Sequence, residues 1–181
     1  MRVLGLDPGS RRTGWGVVER RARELHCVGA GHVAPPARLS LAERLLAIVR
    51  EVDAVMERFA PDCVVIEAAF HHAYARSTLV LGHVRGALMV AVAERGLAIA
   101  EYAPRAIKLA VTGRGGAAKQ QVSAMVKAQL RLATLPQVAA ADALAGALCH
   151  LHRARFDVPR RRTPAGERLQ AMLATVRGAR T

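Results

Sequence analysis

Two short apolar runs, 3-VLGLD-7 and 63-CVVIE-67, constrain this chain more than any other feature, because each stops abruptly on a carboxylate. A continuous apolar run of this length reads as a strand covered on both faces, which calls for a sheet with helices packed on either side. An acid at the end of such a strand costs desolvation unless a cation pairs with it. An arginine is one candidate partner and a metal ion is another, and Arg11 and Arg12 directly follow the Pro8-Gly9-Ser10 turn.

The surrounding pattern supplies the rest of the architecture. Residues 2–7, 14-GWGVVE-19 and 24-ELHCVGAGHVA-34 are joined by short links, which predicts an antiparallel meander closed by Pro35-Pro36. Ser40 and Glu43 form a capping box. The helix it opens has Leu41, Leu45, Ile48, Val52, Val55, Met56 and Phe59 at helical spacing and stops before Pro61. After the strand at 63–67, a helix from about Ser77 to Arg95 ends at Gly96, and 97-LAIAEY-102 is a fifth strand. Past Pro104 the chain turns helical, breaks at 112-TGRGGAAK-119, and continues as helices over 120–132 and 138–155. The expectation is an α/β sandwich: a mixed five-stranded sheet flanked by helices over residues 1–155, followed by a basic, partly disordered tail at 156–181.

Charge narrows the choice of partner. The net charge is +13, from 27 Lys plus Arg against 14 Asp plus Glu, and residues 153–181 hold eight Arg against one Asp and one Glu. Such a balance suggests a polyanionic partner, with nucleic acid ahead of an acidic membrane surface. A composition that simply favours Arg is the alternative, since Lys108, Lys119 and Lys127 are the only lysines. Cys27, Cys63 and Cys149 are odd in number and lack a CxxC pattern, which argues against a disulfide framework or zinc site and for small core residues in a reducing compartment. Asp7 and the arginines after it interrupt any signal-like start, and no uncharged apolar run reaches about 18 residues. No membrane span and a cytoplasmic location are expected.

If the two acid-ended strands are neighbours, Asp7 and Glu67 meet, and two such carboxylates repel unless a cation holds them. Carboxylate oxygens without a His or Cys set favour Mg²⁺ or Mn²⁺ over zinc. After Glu101 the only acids are Asp142, Asp157 and Glu167. The last two lie in the basic tail, where Arg pairing accounts for them. Asp142 sits in 138-VAAADALAGALCH-150, an acid on a helix otherwise fit for burial, and is the best third member. Bland readings stand beside these: Asp7 as a cap for the following turn, Glu67 as a strand-end charge, and Asp142 paired with Arg11 or Arg12. All three being innocent together is the weaker position, since perturbed acids gathered in a cleft mark functional sites.

The stretches 4-LGLDPGSRRTGWGVV-18, 65-VIEAAF-70, 81-LGHVRGAL-88, 101-EYAPRAIKLAVTGRG-115, 119-KQQV-122 and 141-ADALAGALCHLH-152, in this order and spacing, resemble the RuvC family of bacterial Holliday-junction resolvases over residues 1–152. The resemblance implies an RNase H-like fold, a homodimer that nicks a four-way DNA junction symmetrically, and an association with a branch-migration motor. It implies that Asp7, Glu67 and Asp142 bind metal, two Mg²⁺ or Mn²⁺ ions per subunit, with Lys108 and Lys119 on the same catalytic face. Such ions would activate water and stabilise the leaving 3′ oxygen of an in-line displacement. Phe70 matches an aromatic that contacts opened bases, a role that base–aromatic stacking supports, and Arg76 and Arg114 join Lys108 and Lys119 as DNA contacts. The bland readings are core packing for Phe70 and solvated charges for the lysines.

Three positions depart from the family's pattern. Ala139 stands where a fourth ligand is usual, Ala68 where Gln follows the second acid, and Ala118 where an acid precedes the lysine. A ligand at 139 would lie one helical turn before Asp142 on the same face, and His150, two turns beyond Asp142, is no obvious replacement. The first reading is therefore a metal-dependent endonuclease of recombinational DNA repair. The rival is a junction-binding protein of the same fold whose cleavage is impaired or absent. An actin-like ATPase would need phosphate and adenosine loops that the sequence does not display.

Overall fold

The computed structural model describes residues 1–9, 11–68 and 75–154, with the side chains of Ala75 and Arg76 left out. Phe70 and the tail at 156–181 therefore lie outside the described residues, as does the expected domain boundary at 155. Five strands run β1 (Arg2–Asp7), β2 (Thr13–Arg21), β3 (Glu24–Val33), β4 (Cys63–Glu67) and β5 (Ala98–Tyr102). The helices are α1 (Leu41–Phe59), α2 (Ala75–Glu94), α3 (Pro104–Thr112), α4 (Lys119–Gln129) and α5 (Val138–Arg153). The sheet order is β3-β2-β1-β4-β5. The β1–β2–β3 meander is antiparallel, with a register shift between Val17 and Val18, and β4 and β5 add in parallel. This is the mixed five-stranded sheet expected from the sequence.

Strand alternation divides the core in two. Leu4, Leu6, Val17, Val64 and Ile66 face α1 and α2, meeting Ile48, Val52, Val84 and Leu88. Val3, Val18, Cys63 and Val65 face the other way, onto Ile107, Val111, Val122, Val126, Leu144 and Leu148 of α3, α4 and α5. Each fully buried Leu or Ile side chain contributes about 1.5–3 kcal/mol relative to exposure. The same alternation turns Asp7 and Glu67 toward α5, since each lies two residues beyond a position on that face.

Local chemistry fixes the helix limits. Ser40 Oγ accepts from the Glu43 N–H, the Ser40 N–H donates to Glu43 Oε2 at 2.8 Å, and Ala60 ends α1 in the left-handed conformation ahead of Pro61. Pro104 opens α3, and Gly113 closes it at φ 75°. The boundaries differ slightly from the sequence reading: α2 begins two residues earlier, and α4 stops at Gln129 because Arg131 turns left-handed at φ 50°. Cys63 and Cys149 are buried and Cys27 half-buried. Ser77–Glu94 of α2 is long and apolar enough to cross a membrane on length and composition, although Arg85 interrupts it. Its Val84, Leu88, Ala91 and Val92 pack into the core, while Leu79, Met89 and Val90 point outward.

α5 lies unusually close to the sheet. A Cβ on Gly5 would stand 1.9 Å from the main-chain oxygen of Ala143, and one on Gly14 would stand 2.0 Å from that of Ala139. Glycines under alanines let backbone meet backbone here. Gly14→Ala should therefore destabilise the protein by roughly 1–3 kcal/mol in urea unfolding, as an overpacked core does. Gly146→Ala, whose new methyl would meet Val65 at an ordinary 3.5 Å, should be tolerated.

Candidate active site

β1 and β4 are parallel neighbours, with Leu6 opposite Ile66, so the two strands end side by side and present Asp7 and Glu67 on one face. Asp7 also pairs with Gly14, and Gly14 is the residue on which the first turn of α5 rests through Ala139. One turn later on that helix comes Asp142. A cavity of about 190 Å³ brings the three carboxylates together with Lys108 of α3 and Lys119 at the start of α4, over an apolar floor that includes Ile107 and Val122. Thr13, fully buried, donates to the Gly9 carbonyl at 3.4 Å and braces the turn that follows Asp7.

Burial in this cavity pushes the Asp7 carboxyl up to about 7, with the charges of Glu67 and Asp142 adding to the shift and Lys119 opposing it. Glu67 is raised as well, first by burial and then by Asp142, against Lys119 and Lys108. Lys119 Nζ lies 3.0 Å from Asp142 Oδ2, and this hydrogen bond is the main reason its ammonium is held above the usual lysine range. Asp142 thus pairs with Lys119 rather than with Arg11 or Arg12, both of which are exposed. The lysine comes from α4, which packs directly on α5, whereas the arginines follow the surface turn after Asp7.

Among the described residues, no three His, Cys, Asp or Glu side chains converge closely enough to grip an ion as they stand. Three like charges repel, and Lys119 holds one of them. The donor set nevertheless fits a hard divalent cation: buried carboxylate oxygens, no soft ligand, and an acid already pushed toward neutrality by burial and by the neighbouring carboxylates. Ala139, only 9% exposed, offers no fourth donor. His150 is engaged elsewhere, with Nδ1 2.9 Å from the Tyr102 hydroxyl and Nε2 3.4 Å from Cys63 Sγ, so it does not replace one.

The other expected site residues are less central. Arg114 lies exposed on the α3–α4 turn, its N–H donating to Thr112 Oγ1, and does not line the cavity. Phe70 and the Arg76 side chain fall outside the described residues. Arg85, which the sequence reading passed over, reaches the Glu67 main-chain oxygen with Nη1 at 3.2 Å and pairs with Glu101 through Nη2. Its signal was available, as the lone formal charge between Ser77 and Ala93.

An α/β sandwich with acids at the ends of two adjacent central strands and a third acid on the crossing helix defines an RNase H-like nuclease fold. The family model for crossover junction endodeoxyribonuclease RuvC matches residues 3–150. A protein described as crossover junction endodeoxyribonuclease RuvC from Koribacter versatilis is 52% identical over 155 residues, covering 84% of this chain and 93% of its own. The one from Rhodopseudomonas palustris is 49% identical over 152 residues, covering 84% and 87%. The solved structure of Thermus thermophilus RuvC in complex with a Holliday junction substrate superposes with a TM-score of 0.81 at 35% identity, over 86% of this chain and 96% of that one. The chain belongs to the RuvC family of crossover junction endodeoxyribonucleases.

The raised Asp7 predicts how metal-free stability depends on pH. The folded state holds this proton more tightly than the unfolded chain, so ionising Asp7 costs stability as pH rises from its ordinary 3.8 toward about 7. The full contribution is up to about 4 kcal/mol. In thermal unfolding with EDTA, Asp7→Asn should gain on the wild type between pH 5 and pH 8, and Mg²⁺ should restore the wild type by binding the folded state.

Proposed function

We infer that this protein resolves four-way DNA junctions by paired, metal-dependent nicks in recombinational repair. The observation that carries the reading is the convergence of Asp7, Glu67 and Asp142 with Lys108 and Lys119 in one cavity of a RuvC-family fold. Asp7, Glu67 and Asp142 would hold Mg²⁺ or Mn²⁺, two ions per subunit on the family's pattern. Such an ion supplies a Lewis acid that activates water and offsets charge on the leaving oxygen. In-line attack by water on phosphorus breaks the P–O3′ bond and leaves a 5′-phosphate and a 3′-hydroxyl. Lys108 and Lys119 bring positive charge to the scissile phosphate, the task for which a flexible ammonium is suited. Lys119, whose side chain is 68% exposed, exchanges Asp142 for phosphate when DNA and metal arrive. The apolar floor raises the strength of each charge interaction above it. Phe70, Arg76 and Arg114 serve as DNA contacts, with Phe70 stacking on opened bases.

Two nicks require two sites, hence a homodimer. The outward face of α2 supports this: Leu79 is 63% and Val90 60% exposed, and Gly82 and Gly86 stand over open space where a second helix could approach closely. Val90→Arg should then shift the protein to a monomer in light scattering. Its paired nicks on a junction should give way to weak single nicks. Association with a branch-migration motor rests on the family resemblance, and so does a cytoplasmic location.

The test is cleavage of a synthetic four-way junction in Mg²⁺ and in Mn²⁺, with binding measured in parallel. The expected result is paired nicks that fall at least about 100-fold in Asp7→Asn, since a direct ligand should matter no less than its supporting groups. Junction affinity should persist in that variant and decline steeply with salt. Ala139 favours one second reading, a junction binder that does not cut. Tight binding without nicks would select it, and Ala139→Asp should then restore cleavage.

A further inference from the structure

Arg85 stands on an apolar helix, with its side chain only 15% exposed. It touches the site from behind. Glu101 has the same strand parity as Leu97 and Ile99, which pack against the α1–α2 core, so Glu101 and Arg85 meet on that face of the sheet. The Glu67 side chain faces the opposite way, toward α5. The guanidinium nonetheless reaches the Glu67 carbonyl, the last peptide group of β4, at 3.2 Å. Immediately beyond, the Ala68 N–H donates to the Tyr102 carbonyl at 2.9 Å. The peptide that carries Glu67 is therefore held by β5 on one side and by α2 on the other.

We propose that Arg85 is a positioning residue for the nuclease site: with Glu101 it clamps the end of β4 from the reverse face, aiming Glu67 into the cavity while leaving the Glu67 carboxylate free for a divalent cation. The proposal rests on the metal-dependent reading above. Its logic lies in where the positive charge goes. An arginine this near a catalytic acid would ordinarily neutralise it, and a neutralised acid is a poor metal ligand. Here Glu101 takes the charge, and Glu67 receives only the fork's second hydrogen bond, at its main chain. The cations that act on the Glu67 carboxylate are Lys119 and Lys108, not Arg85. Stability alone is a poor explanation for the pair, because Glu101 is 43% exposed and an ion pair open to solvent on one side contributes little. Geometry is the better one: a planar two-pronged donor links two fixed acceptors as a single ammonium does not.

The experiment uses the full chain and four variants: Arg85→Gln, Arg85→Lys, Glu101→Gln and Asp7→Asn. Mn²⁺ affinity is read by electron paramagnetic resonance without DNA, alongside junction affinity in EDTA, cleavage at saturating Mn²⁺ and thermal unfolding. Loss of a group that orients a metal ligand typically weakens metal binding 10–100-fold. Arg85→Gln should accordingly weaken Mn²⁺ binding at least about 10-fold and slow cleavage, with junction affinity unchanged. Arg85→Lys should recover only part of this, and Glu101→Gln should show a smaller loss of the same kind. If Arg85→Gln does not fold, Glu101→Gln carries the test alone. Variants that lose thermal stability but keep wild-type Mn²⁺ affinity and cleavage would overturn the proposal and leave the nuclease reading intact. A wild type that neither cuts nor binds Mn²⁺ more tightly than Asp7→Asn would overturn both.

Discussion

The contact between α5 and the sheet is the constraint on which the rest depends. Gly5 and Gly14 bring strand and helix together at a distance no side chain would permit, and Ala139 and Ala143 complete the fit from the helix. This places Asp142 within reach of Asp7, although 135 positions of sequence separate them. A side chain on either glycine would lift the helix and with it the third acid. The site is thus a consequence of packing, and the small residues that create it carry no chemistry of their own.

What that packing assembles is electrostatically costly. Three carboxylates share a cavity floored by apolar side chains, and Asp7 is driven to about 7, first by burial and then by the charges of Glu67 and Asp142. Proteins tolerate such arrangements where function requires them and recover the stability elsewhere. Here the recovery comes from two separate apolar cores, one on each face of the sheet. Lys119 supplies part of the missing charge through Asp142, and Arg85 lies nearby yet spends its charge on Glu101. The site keeps its carboxylates only partly compensated, which is the state in which a divalent cation gains most by entering.

Much of this was legible in the sequence because it rests on short-range signals. The apolar runs with terminal acids, the Ser40–Glu43 box, Pro61, Pro104 and Gly113 each act within a few residues, and each appears in the structure where expected. Asp142 was found by elimination, because so few acids follow Glu101. The partner of Asp142 was not legible. Choosing Lys119 over Arg11 or Arg12 requires knowing that α4 packs on α5, which no local pattern encodes. Arg85 was missed for a related reason: a lone charge in an apolar helix signals that it has a partner, but Glu101 and the Glu67 carbonyl become neighbours only once β4 and β5 pair. The near-contact of Gly14 with Ala139 was equally invisible, since glycine in a strand is ambiguous until something is seen to approach it.

Ala139 bears on how many ions the proposed mechanism needs at once. With the three carboxylates ionised, the cavity holds three negative charges against the two positive charges of Lys108 and Lys119. One divalent ion already turns the balance positive. A second would face net repulsion until a DNA phosphate brings further negative charge. A fourth acid at position 139 would shift that balance by one charge and admit the second ion before the substrate. The same acid would also push Asp7 further from its ordinary range in the metal-free protein. On the proposed reading, alanine at 139 therefore spares the metal-free protein a fourth carboxylate in the cavity and makes the second ion's arrival depend on the junction itself.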